Sequence, residues 1–278
     1  MTLRQSHFVE PVPLVVARER GLLAGLDIGL ERTRGSAAQL RGLLSGELDL
    51  VVSAIDNLFE WTAAGADVRL VAQMERTTPL HLYARPGLDA LEALSGAGFA
   101  VDAYANGFSL IARKLFADAG IDVRYEEVGG VQERMEALLA GDVDATLLGP
   151  PFDLLAAEEG AVRVLDLSER FPELPGQGLI VRTELVRSPE LLDYLRALVR
   201  AVRLAESLRT EAGVALMERA GFGAAAASHW GARPLSLDVE PRGLTFVSEV
   251  RRGLGLLRGA PLDELHDPEP MREARRGV

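Results

Sequence analysis

Residues 16–54 and 111–149 of this chain are copies of one another, aligning without a gap at a shift of 95 positions. Matched pairs include Ala17/Ala112, Gly25/Gly120, Asp27/Asp122, Glu31/Glu126, Gly35/Gly130, Leu43/Leu138, Gly46/Gly141 and Asp49/Asp144. A unit of this length, present twice, is too long for a solenoid repeat and too sparse for a tandem array. Each copy reads as helix, Gly stop, strand, Gly turn, helix, Gly stop, strand. Two copies predict two similar α/β lobes, and a cleft between lobes is a natural place to hold a small molecule.

Composition narrows the partners. The 278 residues, 48% of them hydrophobic, suffice for two cored lobes. With 41 acidic against 30 basic residues the net charge is −11, the wrong sign for nucleic acid or an anionic membrane surface. Cysteine is absent, which excludes disulfides, thiolate metal sites and cysteine nucleophiles. The four histidines (His7, His81, His229, His266) lack metal-ligand spacing, so neither metal nor other cofactor is expected. No apolar run is long enough to span a membrane. The first residues show no basic segment followed by an apolar one. A removed export signal would make the protein periplasmic or otherwise extracytoplasmic; Met1 as native start would make it cytoplasmic. A monomer is expected.

Taken in order, the chain predicts an α/β fold. Thr2–Ser6, Leu26–Glu31, Leu48–Ser53 and Val68–Met74 read as strands alternating with helices, and the unalternating apolar run of the third suits a parallel sheet covered on both faces. Leu80–Ala84 reads as an extended segment leaving the first lobe, and Leu179–Arg182 as the return crossing after the Pro/Gly-rich Phe171–Gly178. From Ser188 onward the pattern is helical. The expectation is two similar lobes, each a mostly parallel sheet flanked by helices, joined by two crossing segments, with a helical C-terminus. The first lobe comprises 1–83 plus 179–278 and the second 84–178.

Three elements carry a family resemblance. Pro13-Leu14-Val15-Val16-Ala17-Arg18-Glu19-Arg20-Gly21-Leu22 is similar to a first-helix pattern P-x-x-x-A-x-E-x-G-hydrophobic. Ala38-Gln39-Leu40 through Gly46-Glu47-Leu48-Asp49 matches a helix-to-strand element ending in G-x-x-D. Gly141-Asp142-Val143-Asp144-Ala145, followed by Pro150-Pro151, repeats it in the second half. Together these resemble the type II periplasmic-binding-protein fold over about residues 2–210. More narrowly, they resemble the solute-binding proteins for nitrate, sulfonates, taurine and thiamine pyrimidine precursors that serve ABC importers. The resemblance implies reversible capture of a small organic molecule by hinge closure, with an ABC permease as partner. The same fold serves cytoplasmic enzymes, such as chorismate dehydratase and dihydroxyphthalate decarboxylase, so a lyase or decarboxylase is the alternative. An LysR-type regulator is set aside, because no helix-turn-helix precedes the first strand.

Ligands of open parallel sheets sit at the carboxyl ends of strands, beside helix N-termini. In the first lobe that rule selects Ser6, His7, Phe8, Ser36, Ser53, Asp56 and Asn57. In the second it selects Tyr104, Asn106, Gly107, Phe108, Ser109, Gly149, Pro150 and Phe152. The crossings add Thr77, Thr78 and Gln177. Ser36, Asp56 and Ser109 can equally serve as helix caps. Phe8, Tyr104, Phe108 and Phe152 can sandwich a planar ligand or form a rim. Asp49 and Asp144, recurring before the apolar strands, suit a turn or capping role. Only Arg76 supplies a cation near this set, so a strongly anionic ligand would have to rely on helix N-termini and hydroxyls. Asp56 and Asp153 point instead to a neutral or weakly basic polar molecule, an aromatic one included. Under the enzyme alternative His7 is the only visible general acid or base, assisted by Asp56.

Overall fold

The computed structural model describes residues 2–105, 107–258 and 260–278. Among these described residues ten strands form two five-stranded sheets, accompanied by thirteen α-helices. The first lobe opens with β1 (Leu3–His7), α1 (Val12–Glu19), β2 (Ile28–Arg32) and α2 (Ser36–Ser45). It continues with β3 (Leu50–Ser53), α3 (Asn57–Ala63) and β4 (Val68–Gln73). The second lobe holds β5 (His81–Ala84), β6 (Gly98–Val101), α4 (Ser109–Ala119), β7 (Arg124–Glu127) and α5 (Val131–Ala140). It ends with β8 (Ala145–Leu148), α6 (Phe152–Glu158), β9 (Val162–Asp166) and α7 (Leu167–Arg170). The chain then returns to the first sheet through β10 (Gly178–Arg182).

Sheet order is β2-β1-β3-β10-β4 in one lobe and β7-β6-β8-β5-β9 in the other, the same plan twice. β10 and β5 are the antiparallel strand of each sheet. The segments 80–84 and 179–182 are therefore no crossings: β5 pairs along its whole length with β8 and β9, and β10 with β3 and β4, so the crossings lie N-terminal to His81 and to Gly178. Register gives a further detail. Gln5 pairs with Leu50 and Phe99 with Ala145, so β1 and β6 match at a shift one residue shorter than the 95 of the rest. Asp102, just beyond β6, is thus the counterpart of Phe8 and not of His7.

Alternation explains why both faces of each sheet are covered. In β3, Leu50 and Val52 point into a core shared with α1 and the C-terminal helices, while Val51 points into a second core with Leu43, Leu58 and Trp61. β10 repeats this, with Leu179 and Val181 on one face and Ile180 on the other. In the second lobe Leu147 joins Phe99, Leu115 and Phe116, whereas Leu148 joins Ala100, Leu138 and Ala156. Each fully buried Leu, Val or Phe removes apolar area from water for about 1.5–3 kcal/mol. The duplicated glycines Gly25, Gly120, Gly46 and Gly141 all hold positive φ, a conformation that side-chain-bearing residues avoid.

The duplicated aspartates have a shared role. Asp49 accepts from the Arg4 backbone N–H at 2.9 Å and from its guanidinium at 2.8 Å; Asp144 accepts from the Gly98 N–H at 2.7 Å and from Arg85 at 2.6 Å. Each carboxylate clamps the entry of one strand to a neighbouring parallel strand: β3 to β1 in the first lobe and β8 to β6 in the second. The Gly98 N–H, with Arg85, holds the Asp144 carboxyl below its ordinary value.

The C-terminus wraps the first lobe and reaches the second. α8 (Pro189–Ser207) begins with Pro189 in its first turn, and the Ser188 hydroxyl accepts the Leu191 N–H at 3.2 Å. α9 (Thr210–Met217) and α10 (Ala226–Gly231) follow. Next comes α11 (Pro241–Gly253), then α12 (Leu262–Leu265) and α13 (Glu269–Arg276). α11 touches both lobes: Leu244 and Val247 pack into the first, while Val250 packs into the second. Among the described residues no helix is long and apolar enough to cross a membrane.

Candidate functional site

Between the lobes lies a cavity of about 840 Å³, its open mouth included. The first lobe supplies Phe8, Val9, Ala54 and Asn57. The crossings supply Glu75, Thr78, Pro79 and Gln177. The second lobe contributes Asp102, Gly107, Phe108 and Ser109, then Val131 and Arg134 on α5, then Gly149 and Pro150. His229 of α10 completes the wall. The lining is mostly apolar with a few polar groups, the usual make-up of an organic-ligand site.

The lobes are closed onto one another. Ser36 N–H donates to both Asp102 oxygens at 3.1 and 3.2 Å, and Gly130 N–H to the Arg34 carbonyl at 2.8 Å. Arg32 pairs with Glu133 at 3.0 Å, and Gly107 N–H donates to Asp56 at 2.8 Å. Arg251 of α11, fully buried, holds Asp56 at 2.7 and 3.2 Å and Glu60 at 2.9 Å. It also donates to the Ala105 carbonyl of the other lobe at 2.8 Å. Its guanidinium lies 4.7 Å from the centre of the Phe59 ring.

Several polar groups in the wall are deeply buried. Asn57 is 2% exposed; its amide nitrogen donates to Ser53 Oγ at 2.7 Å, and its Oδ1 finds no partner among the described residues. Glu75 accepts from Thr78 Oγ1 at 2.6 Å and from the Gln177 side chain and backbone at 3.1 and 3.3 Å. Burial pushes its carboxyl above the ordinary value despite these bonds. Arg134 donates to Thr146 Oγ1 at 3.2 Å, the Gly129 carbonyl at 2.7 Å and the Leu147 carbonyl at 3.2 Å. Burial pulls its guanidinium below its ordinary value. Its counterpart in the duplication is Gln39, which bonds the carbonyls of Ser6 and Val52 in the same way.

Of the strand-end candidates, the structure brings Phe8, Asn57, Gly107, Phe108, Ser109, Gly149, Pro150 and Gln177, together with Thr78, to this one cavity. The others lie elsewhere. Ser6 and Ser53 are fully buried inside their strands, bonded to Gln39 and Asn57 beneath the wall. Ser36 is the first helical residue rather than a cap, and its N–H donates to Asp102. Asp56 makes no cap bond, because Arg251 and Gly107 occupy its carboxylate. Thr77 donates to the Leu174 carbonyl at 3.0 Å and ties the two crossings together. Tyr104 stands 44% exposed under Arg113, on the outside. Phe152 packs with Tyr83, Leu138 and Ala156 in a second-lobe core. Asn106 lies outside the described residues. His7 is buried outside the wall, its imidazole pulled down to about 4 by burial. Neither acid–base candidate of the enzyme alternative lines the cavity.

Sequence reasoning missed Glu75, Asp102, Arg134 and His229. Glu75 and Asp102 follow the last residues of β4 and β6, so the strand-end rule reaches both. Arg134 is visible only as the charged partner of Gln39 in the duplication. His229 comes from a distant helix and has no local signal.

Two lobes of the same mixed sheet plan, two crossings and an interlobe cavity define the type II periplasmic-binding-protein fold. Comparison places the chain further. The NMT1/THI5-like family matches residues 10–207, and the chain belongs to that family. No curated protein sequence matches it. Among solved structures it is similar to the ligand-binding component of an ABC-type import system from Staphylococcus aureus. That likeness has TM-score 0.83 and 14% identity, covering 99% of both chains. The alkanesulfonate-binding protein SsuA from Xanthomonas axonopodis pv. citri, bound to MOPS, superposes at TM-score 0.77. There identity is 18%, covering 96% of this chain and 98% of that one. The periplasmic nitrate-binding protein NrtA from Synechocystis PCC 6803 gives TM-score 0.78 and 12% identity, covering 100% and 89%. At such identities these likenesses speak to the fold.

Proposed function

We propose that this protein captures a small organic molecule in its interlobe cavity by hinge closure and delivers it to an ABC permease outside the cytoplasm. The observation that carries this is Asn57: a buried amide in the wall of a two-lobed cavity, whose acceptor oxygen has no partner among the described residues. An unpaired buried acceptor costs about 1–3 kcal/mol, which a ligand N–H or O–H removes. Phe8 and Phe108, from opposite lobes, offer apolar faces for a planar ligand. Glu75 and Asn57 are acceptors, which favours a neutral or weakly basic ligand. Closure follows as a population shift, since a molecule touching both lobes does so only when they are closed. The family and the import proteins that share the fold support the same reading.

The test is a thermal-shift screen of neutral, weakly basic and anionic aromatic metabolites, repeated with Ala54→Trp, which fills the cavity. Neutral or weakly basic compounds are expected to stabilise the wild type and not the variant. Stabilisation of both proteins alike would move the site elsewhere.

A further inference from the structure

We propose that Asp102 is a specificity residue that fills the cavity's anion-binding position with the protein's own carboxylate and so turns negatively charged ligands away. The inference rests on the cavity being a ligand site, and it names the chemistry that the site refuses.

The N-terminus of α2, a ten-residue helix, carries a partial positive charge and lies directly behind Asp102, which lines the cavity. Asp102, from the opposite lobe, takes the Ser36 N–H there with both oxygens. The approach is close enough that a Cβ on Gly35 would stand 2.8 Å from Asp102 Oδ1. The strand does not demand this carboxylate, because the equivalent position of the first lobe is Phe8.

Arg134 supplies the second half of the argument. It is 8% exposed, lines the same cavity, and spends its bonds on neutral oxygens only. No described carboxylate lies within ion-pair distance of it, and Asp102 and Glu133 act on it through space. A buried guanidinium and a helix N-terminus on either side of one carboxylate would form an anion site if that carboxylate were gone. Among the described residues that line the cavity, the buried side-chain atom without a partner is the Asn57 acceptor. The cavity therefore favours a ligand that donates hydrogen bonds and carries no negative charge.

The experiment uses sulfate and ethanesulfonate as probes, titrated calorimetrically into wild type, Asp102→Ser, Asp102→Asn and Asp102→Ser/Arg134→Met at constant ionic strength. Wild type is expected to show no saturable binding up to about 10 mM, a limit equivalent to under 3 kcal/mol. Asp102→Ser should bind ethanesulfonate at least about tenfold more tightly, as a charge-assisted site would, and the double variant should lose the gain. Asp102→Asn, which keeps the shape without the charge, should fall between. Small-angle scattering checks that the variants stay closed. Equal binding by wild type, no gain in a folded and closed Asp102→Ser, or opening of the lobes in that variant would each overturn the proposal. Because the probes are anions, this outcome is independent of the metabolite screen. Gain by Asp102→Ser with an empty screen would sink the proposed function and spare Asp102, and the converse would do the reverse.

Discussion

Arg251→Met removes the most heavily bonded buried charge between the lobes. The guanidinium is fully buried and makes two bonds to Asp56, one to Glu60 and one each to the Leu256 and Ala105 carbonyls. Methionine keeps much of the apolar stem but leaves the Asp56 carboxylate with the Gly107 N–H alone. Breaking a buried pair by deleting one partner costs about 3–5 kcal/mol, most of it the stranded charge. Glu60 is half-exposed and adds little. For a chain of this size the loss corresponds to roughly 10 °C in melting midpoint. Urea denaturation of wild type, Arg251→Met, and Arg251→Met/Asp56→Asn measures it. The double variant carries no stranded charge and should recover about 1–3 kcal/mol relative to Arg251→Met. A single-variant loss below about 1 kcal/mol, or a double variant less stable than the single, would refute the reasoning.

Two further outcomes follow from buried groups. His7 and His229 are both held near pKa 4 by burial, below the ordinary 6.5, so the folded state binds fewer protons between those values. Their contribution is complete above pH 6.5 and is lost as pH falls toward 4, up to about 3 kcal/mol each. His7→Gln should remove roughly half of that histidine-linked loss in unfolding series at pH 7 and 4.5, and an unchanged difference would contradict the assignment. Gly213→Ala should destabilise by about 1–3 kcal/mol or more, because the added methyl overlaps the buried Trp230 ring; a neutral effect in chemical denaturation would show that α9 yields.

What the sequence made legible was whatever local chemistry writes. The duplication stood out because Gly25, Gly120, Gly46 and Gly141 must hold positive φ, and because Asp49 and Asp144 clamp equivalent strands. Strand ends located Phe8, Asn57, Ser109 and Gly149 for the same reason: a parallel sheet opens its site there. The rule failed where depth or distant partners decide. Ser6 and Ser53 sit inside the sheet and bond downward, a matter of register. Asp56 looked like a helix cap, but its partner lies 195 residues further on. β5 looked like a linker because a short extended run, Leu80-His81-Leu82-Tyr83-Ala84, cannot say which sheet it joins; pairing with β8 and β9 decides it. Arg134 is a helix residue whose side chain reaches the cleft from behind the strand ends, and periodicity gives no sign of that.

The central claim is that one ligand is held, unaltered, by both lobes and by Asn57. The direct measurement is calorimetric titration of the best compound from the screen into wild type and Asn57→Leu, followed by mass spectrometry of the recovered compound. One site per chain, affinity weakened about tenfold or more in Asn57→Leu, and a compound recovered intact after long incubation are the expected results. Equal affinity in both proteins, or chemical conversion of the compound by the wild type, would contradict the account.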